Sequence, residues 1–375
     1  VLNHAGSFRA MLLPPNDLSV GEAYIFDDID FEGDLAGIVG FGARLGDARK
    51  SPATKLRLLR LLRRLPDTAR RDSAERPAFS GFLHSRKRDK EVVGHHYNTG
   101  NEFFEQFLDP QMVYSCAYFL DPAESLDIAQ RRKLDVVCRK LQLVPGMKLL
   151  DVGCGWGALV IHAASRYGVD ATGITLSSEQ AALARLRAGA AGVADRVTIE
   201  ERDYRELDGK WDAIASVGMV EHVGGKELDK YFRKLRAVLA PGGQILNHGI
   251  VTRDRHVRRI TPTFMNTYVF PDGELLPVDM VGGAAEESGL ELRDAESLRA
   301  SYALTLRHWL ANLERNRDAA IGAADERTYR IWRLYLAASA VAFERAAISV
   351  YQLLLSDPAR AWTFGRSGLL AGDDG

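Results

Sequence analysis

Long apolar runs are missing from this chain. Nowhere do about eighteen apolar residues follow one another, so no segment reads as a membrane-spanning helix. Cysteine is scarce as well. Cys116, Cys138 and Cys154 are the only three, odd in number and widely spaced, which argues against a disulfide framework and a zinc site and predicts reduced thiols. Net charge is nearly absent, at −1 over 375 residues, so nothing resembles the strongly basic composition of a nucleic-acid binder. No internal repeat or low-complexity tract is evident. The opening residues Val1–Ser7 show no cationic segment followed by an apolar core, which predicts a cytoplasmic protein.

What is present is an ordinary globular composition, 46% hydrophobic, enough for one large domain or two smaller ones. The near-zero charge hides a segregation. Asp27, Asp28, Asp30, Glu32 and Asp34 form an acidic patch, while Lys55 to Arg64 and Arg86-Lys87-Arg88 are basic. Between Ala53 and Leu65 a helical wheel places Leu58, Leu61, Leu62 and Leu65 on one side and Arg57, Arg60 and Arg64 on the other. Such a helix rests on an anionic bilayer or turns its leucines into a core, and the pattern favours neither. Asp67 to Lys90, rich in charge with proline and serine, reads as a linker between an N-terminal module, 1–80, and the remainder, 81–375.

From Met147 onward strand and helix signals alternate. Strands are expected at Lys148–Val152, Asp170–Leu176, Val197–Glu201, Trp211–Val217 and Gln244–Val251. Helices are expected at Ala158–Tyr167, at Ser177–Gly189 behind a Ser177/Gln180 capping box, and at Lys226–Leu239, stopped by Pro241-Gly242-Gly243. This alternation predicts an α/β fold with a parallel sheet covered by helices on both faces, with ligands at the carboxyl ends of the strands. Beyond Ser301 the pattern turns almost wholly helical, with Leu306, Trp309, Leu310, Tyr329, Trp332, Tyr335, Leu336, Phe343 and Tyr351 as core residues.

The densest signal is Leu149-Leu150-Asp151-Val152-Gly153-Cys154-Gly155-Trp156-Gly157. It is an apolar strand running into a glycine turn, where missing side chains let an adenosyl cofactor lie against the backbone. Gly153-x-Gly155-x-x-Ala158 also passes as a degenerate dinucleotide fingerprint. The acid expected after the second strand is missing, however, because Leu176-Ser-Ser-Glu-Gln180 follows instead.

Several further stretches accompany this turn: His95–Phe104 (HHYNTGNEFF), Met112–Phe119 (MVYSCAYF), Gly173–Gln180 (GITLSSEQ), Ser216–Gly224 (SVGMVEHVG), His248-Gly249-Ile250, Tyr268–Gly273 (YVFPDG) and Tyr302–Leu306 (YALTL). Together, over roughly Asn98 to Tyr351, the chain resembles the cyclopropane fatty acid synthase family, methyltransferases that use S-adenosylmethionine on unsaturated acyl chains. The first eighty or so residues resemble the extra N-terminal module of the bacterial phospholipid-acting members.

The resemblance implies a Rossmann-like class I methyltransferase sheet with a helical lid and C-terminal helices, plus the small N-terminal module. It implies cofactor contacts from Tyr114 and Ser115 along the methionine part and from the turn Asp151, Gly153, Gly155, Trp156 and Gly157. It further places Thr175, Leu176 and Gln180 around the ribose and Asp203 and Tyr204 near the adenine, the last pair departing from the Trp-Glu of some relatives. A bound bicarbonate would serve as base, held by Cys116, Glu221, His248, Tyr302 and the main chain of Ile250. His95, His96 and His222 would orient neighbours, and no metal is implied. Tyr114, Tyr118, Phe119, Tyr268 and Phe270 are expected as aromatic walls around a carbocation, which must be kept from water.

The implied reaction adds a one-carbon unit to the double bond of an unsaturated phospholipid acyl chain at the inner membrane surface, where the protein would be peripherally bound. A hydride shift before proton loss would give a methylene branch instead, which calls for a reductase partner. A small-molecule methyltransferase and an inactive lipid-binding scaffold are the readings from other classes. Oligomeric state is not legible, and a homo-oligomer is left open.

Overall fold

The computed structural model describes residues 1–47, 52–67, 76–77, 85, 87–89, 91–92, 100–253 and 263–361. The motif residues His95 to Thr99 and most of the expected linker lie outside them. Four short helices open the described chain, α1 (Ser7–Leu12), α2 (Asp17–Ile25), α3 (Leu35–Asp47) and α4 (Pro52–Leu62), and α5 (Asn101–Glu105) follows.

The sheet then begins. Leu149 to Val152 are all buried, and β1 (Lys148–Val152) pairs in parallel with β2 (Asp170–Thr175) on one side and β4 (Trp211–Val217) on the other. With β3 (Val197–Glu201), β5 (Leu239–Thr252), β6 (Glu291–Ser297) and β7 (Ile348–Ser356) the order is β3-β2-β1-β4-β5-β7-β6. Strands β1 to β5 are parallel, and β7 runs antiparallel to β5 and β6. The helices α6 (Leu126–Lys140), α7 (Ala158–Tyr167), α8 (Ser178–Ala190) and α10 (Leu228–Val238) cover its faces. A one-turn helix, α9 (Val220–Val223), lies just after β4, and α11 (Val278–Glu287) precedes β6.

Three expectations need correction. Tyr351 is not helical but sits in β7, where Ile348-Ser-Val-Tyr-Gln-Leu-Leu-Leu supplies the β-branched and aromatic residues a buried strand favours. The helix before Pro241 ends at Val238 because Leu239 is already extended, so β5 starts there, with a register shift between Trp211 and Ala213. The capping box is only half made. Ser177 accepts from the Gln180 backbone N–H at 3.2 Å, but the Gln180 side chain turns to Thr175.

The C-terminal helices α12 (Arg299–Arg315), α13 (Arg317–Ala323) and α14 (Glu326–Glu344) pack over the carboxyl edge of the sheet. Their aromatic stripe is core, as expected: Leu306, Trp309, Trp332, Tyr335 and Phe343 are all buried. Leu18, Tyr24, Ile25 and Ile29 of the first residues join that same core. Arg330 donates to the Tyr24 carbonyl at 2.8 Å, and Tyr268 donates to Glu22 at 2.9 Å, so α2 is fastened both to α14 and to a segment beside the site. The leucines of α4 differ, with Leu56, Leu58 and Leu61 between 44% and 49% exposed.

Candidate active site

At the carboxyl edge of the sheet lies a cavity of about 560 Å³. The topology dictates its position, because parallel strands deliver their loops to one edge. Its walls combine the turns after β1, β2, β3 and β4 with Tyr114 and Ser115, α6, Phe270, and residues of α12 and α14.

One end is built by the glycine turn. Gly153 has φ +81°, the region that favours glycine, and a Cβ there would force the Met219 side chain aside, its sulfur lying at 2.5 Å. Its N–H and that of Cys154 donate to Ile174, locking the turn to β2. Asp151, Gly153, Gly155 and Trp156 line the cavity, whereas Gly157 caps α7 and is not on the wall. Trp156 is buried and donates to Asn101 at 2.7 Å. Thr175, Leu176 and Gln180 follow along the wall, and Thr175 donates to the Gln180 carbonyl at 2.8 Å, which leaves the amide N–H group as what Gln180 can offer. Asp203 and Tyr204 close this end. Asp203 accepts from the Arg205 backbone and guanidinium, and Arg205 reaches on to Asp89 at 2.9 Å. Burial raises Tyr204 to about 12.

On the side of the turn away from Asp203, Tyr114 stacks on Trp309 with ring centroids 5.2 Å apart. Ser115 is held by Gln130, which donates to its carbonyl at 2.9 Å, and by Lys133, which donates to its hydroxyl at 3.0 Å. Asp151 has a buried oxygen without a partner, and burial pushes its carboxyl up to about 7 against the pull of Lys133. An acid, a lysine and a hydroxyl fit the charged amino-acid end of an adenosyl-sulfonium cofactor.

The other end is built around Glu221. Gly249 lets β5 approach α9 closely, since a Cβ there would lie 2.3 Å from Val220. Glu221 accepts from the Ile250 N–H at 2.7 Å, and its second oxygen is buried without a partner. Burial raises this carboxyl to about 7, countered in part by the backbone hydrogen bonds. Tyr302, Ile250, Phe270, Leu306 and Tyr335 share the wall with it.

Glu221, Ile250 and Tyr302 are thus brought together. The main chain of Ile250 was expected to hold an anion, and its N–H is directed at Glu221. His248 and Cys116 are not on the wall. His248 is 2% exposed; the Gln352 amide lies 3.2 Å from its Nδ1, and its Nε2 is a buried atom with no partner. Burial, with Lys133 and Lys140, lowers this imidazole to about 3, so it stays neutral. Cys116 is fully buried, its thiol pushed far up by burial and directed at the Ala117 carbonyl at 3.1 Å.

Of the expected aromatic walls, Tyr114 and Phe270 line the cavity. Tyr118, Phe119 and Tyr268 do not: Tyr118 donates to Glu296 at 2.8 Å, Phe119 stacks on His308, and Tyr268 reaches Glu22. Lys133 and Tyr335 are wall residues that sequence reasoning did not single out. For Lys133 the signal was present, because Lys133, Leu134 and Val137 recur at helical spacing on one buried face of α6.

The mycolic acid cyclopropane synthetase family matches residues 84–353. The chain is 41% identical over 352 residues to a probable fatty acid methyltransferase of Pseudomonas putida, spanning 92% of this chain and 84% of that one. It is 39% identical over 274 residues to the cyclopropane-fatty-acyl-phospholipid synthase of Escherichia coli strain K12, spanning 73% and 70%. The crystal structure of mycolic acid cyclopropane synthase CmaA1 with SAH and CTAB is similar, with a TM-score of 0.67 at 34% identity over 71% of this chain and 98% of that one. On the sheet order, the glycine turn and these similarities, the chain belongs to the mycolic acid cyclopropane synthetase family of S-adenosylmethionine-dependent methyltransferases.

Proposed function

We propose that this protein adds a one-carbon unit to the double bond of an unsaturated phospholipid acyl chain and closes it to a cyclopropane. The carrying observation is the single cavity. One end offers the polar groups an adenosyl cofactor needs, and the other is walled by Tyr302, Phe270, Leu306 and Tyr335 around the buried carboxyl of Glu221.

The adenine would lie by Asp203 and Tyr204, the ribose by Thr175, Leu176 and Gln180, and the methionine end along Tyr114 and Ser115. The cofactor supplies an electrophilic methyl group on a sulfonium. An alkene is a weak nucleophile, so the walls must hold its π bond in line with that methyl. The π electrons would take up that methyl, with its sulfur as the leaving group, and a positive charge would be left on the neighbouring acyl carbon. Tyr302, Tyr335 and Phe270 exclude water from that carbon and present electron-rich faces to it. A proton then leaves the new methyl, and its C–H electrons close the ring. Bicarbonate would supply the base for this loss. The unpaired Glu221 oxygen would accept from its hydroxyl and Tyr302, on the same wall, would donate to it, while His248, buried behind the wall, would support the site from outside it.

The lipid would come from a bilayer met by α4. Its exposed Leu56, Leu58 and Leu61 stand with exposed Arg57, Arg60, Arg63 and Arg64, and Phe41 of α3 is 63% exposed. Apolar and basic groups together suit an anionic surface. No helix among the described residues is long and apolar enough to cross a membrane.

The test is incubation with methyl-labelled S-adenosylmethionine and vesicles of unsaturated phosphatidylglycerol, followed by mass spectrometry of the acyl chains. A mass gain of one methylene with loss of the double bond supports the proposal. A retained methylene branch supports the hydride-shift reading, in which a reductase partner would be needed only to turn that branch into a saturated methyl group. Label only in a soluble amine or alcohol rejects both.

A further inference from the structure

We propose that Lys133 is the counter-charge for the carboxylate at the amino-acid end of the cofactor, and that with Asp151 it selects a zwitterion there. The inference rests on the cofactor placement above, with the adenine at the Asp203 end. The opposite, methionine end of the cofactor then falls between the glycine turn and Ser115, where Lys133 lies.

The argument turns on two lysines of one helix. Lys133 and Lys140 lie on α6, and each is 3% exposed. A buried ammonium needs negative charge near it. Lys140 has it, with Glu296 at 2.5 Å and Asp294 at 3.8 Å, as a structural lysine should. Lys133 has instead a neutral hydroxyl, Ser115 Oγ at 3.0 Å, as its hydrogen-bond partner among the described residues. The nearest acids do not serve it directly. Asp109 accepts the backbone N–H groups of Gln111 and Val113 at 2.9 and 3.0 Å, and Asp151 has an oxygen buried without a partner.

The other cations on the cavity wall are already matched. Arg202 faces Glu200 and Asp208, and Arg205 faces Asp203 and Asp89, all toward the adenine end. The Ser115 end therefore presents one ammonium and one carboxylate whose charges still lack close partners. An α-amino acid carries the complementary pair. Burial keeps both protein groups poised, lowering Lys133 to about 8 and raising Asp151 to about 7, so each gains from an opposite charge brought beside it.

Calorimetric binding of S-adenosylhomocysteine and of its decarboxylated analogue tests this without any turnover. The wild type should bind S-adenosylhomocysteine about 30-fold or more tighter than the analogue, the size expected when one partner of a buried charge pair is removed. In Lys133→Gln the affinity for S-adenosylhomocysteine should fall by a similar factor while that for the analogue stays within about 2-fold. Lys133→Arg should recover part of the loss. Equal weakening of both ligands, or no discrimination by the wild type, overturns the proposal. The wild-type comparison holds even if the Gln variant fails to fold. A wild type that binds neither ligand overturns the cofactor placement itself.

Discussion

The two ends of the cavity were assembled by different means. The cofactor end takes its groups from three consecutive turns, Asp151 to Trp156, Thr175 to Gln180, and Asp203 to Tyr204, each at the carboxyl end of one of three adjacent parallel strands. Neighbouring strands bring such turns together whatever the rest of the chain does. At the reaction end Glu221 and Ile250 still come from adjacent parallel strands, the turn after β4 and the end of β5, but Tyr302 and Tyr335 come from α12 and α14, and only tertiary packing brings them there. The first end is a property of the sheet. The second needs the helices laid over it.

The strongest way to break this division is Glu221→Gln. Its carboxyl touches the reaction end alone, so turnover should fall about 10³-fold, within the range for losing an acid–base group, while S-adenosylhomocysteine affinity stays within about 2-fold. Calorimetry beside a turnover assay separates the two. A parallel loss of binding would show that the ends are one unit, and the contrast with Lys133→Gln would vanish.

Acidity sharpens the comparison on the scale of a few kcal/mol, because each end buries one carboxyl raised to about 7, Asp151 and Glu221, and Lys133 opposes the rise only at Asp151. A carboxyl with a raised folded-state pKa favours folding fully below its unfolded value and loses that contribution as pH climbs through the folded one. For Glu221, from 4.5 to about 7, the loss between pH 4.5 and 7.5 is on the order of 3 kcal/mol. Urea unfolding of the ligand-free protein should therefore show falling stability over that window, less steeply in Glu221→Gln. An unchanged slope in the variant would mean that Glu221 is ionised in place. His248, lowered from 6.5 to about 3, partly offsets that fall in both proteins, because over this window the unfolded imidazole binds a proton that the folded ring does not.

How much of this was legible in the sequence follows the same division. Strands β1, β3 and β4 stand at the residues their hydrophobic runs marked, and the turn residues line the cavity because strand, glycine and helix follow one another locally. Glu221 follows an apolar strand and so falls at the ligand-binding edge, but Tyr302 could be named only through resemblance, since nothing in spacing joins residues eighty positions apart. Strand β7 was missed because a strand buried between two others shows no alternation, so Tyr351 read as helix core. The resemblance implied an anion at the main chain of Ile250, and the bond of the Ile250 N–H to the Glu221 carboxyl depends on how close β5 comes to α9.

The smallest effect is expected where the structure left apolar groups outside any core. Leu56, Leu58 and Leu61 of α4 are about half exposed, whereas the aromatic stripe of α14 is buried, although both helices are amphipathic by sequence. Replacing the three leucines with Gln should change stability by no more than about 0.5 kcal/mol per site, the ordinary range for surface positions. Cofactor affinity should not move, because that end of the cavity is fed from water. Sedimentation with anionic vesicles should instead show weaker binding, and the apparent KM for vesicle lipid should rise while kcat holds. Under that outcome the two ends draw their substrates from two phases, and α4 serves only the lipid side. A variant that unfolds easily but binds vesicles as before would place the leucines in packing instead.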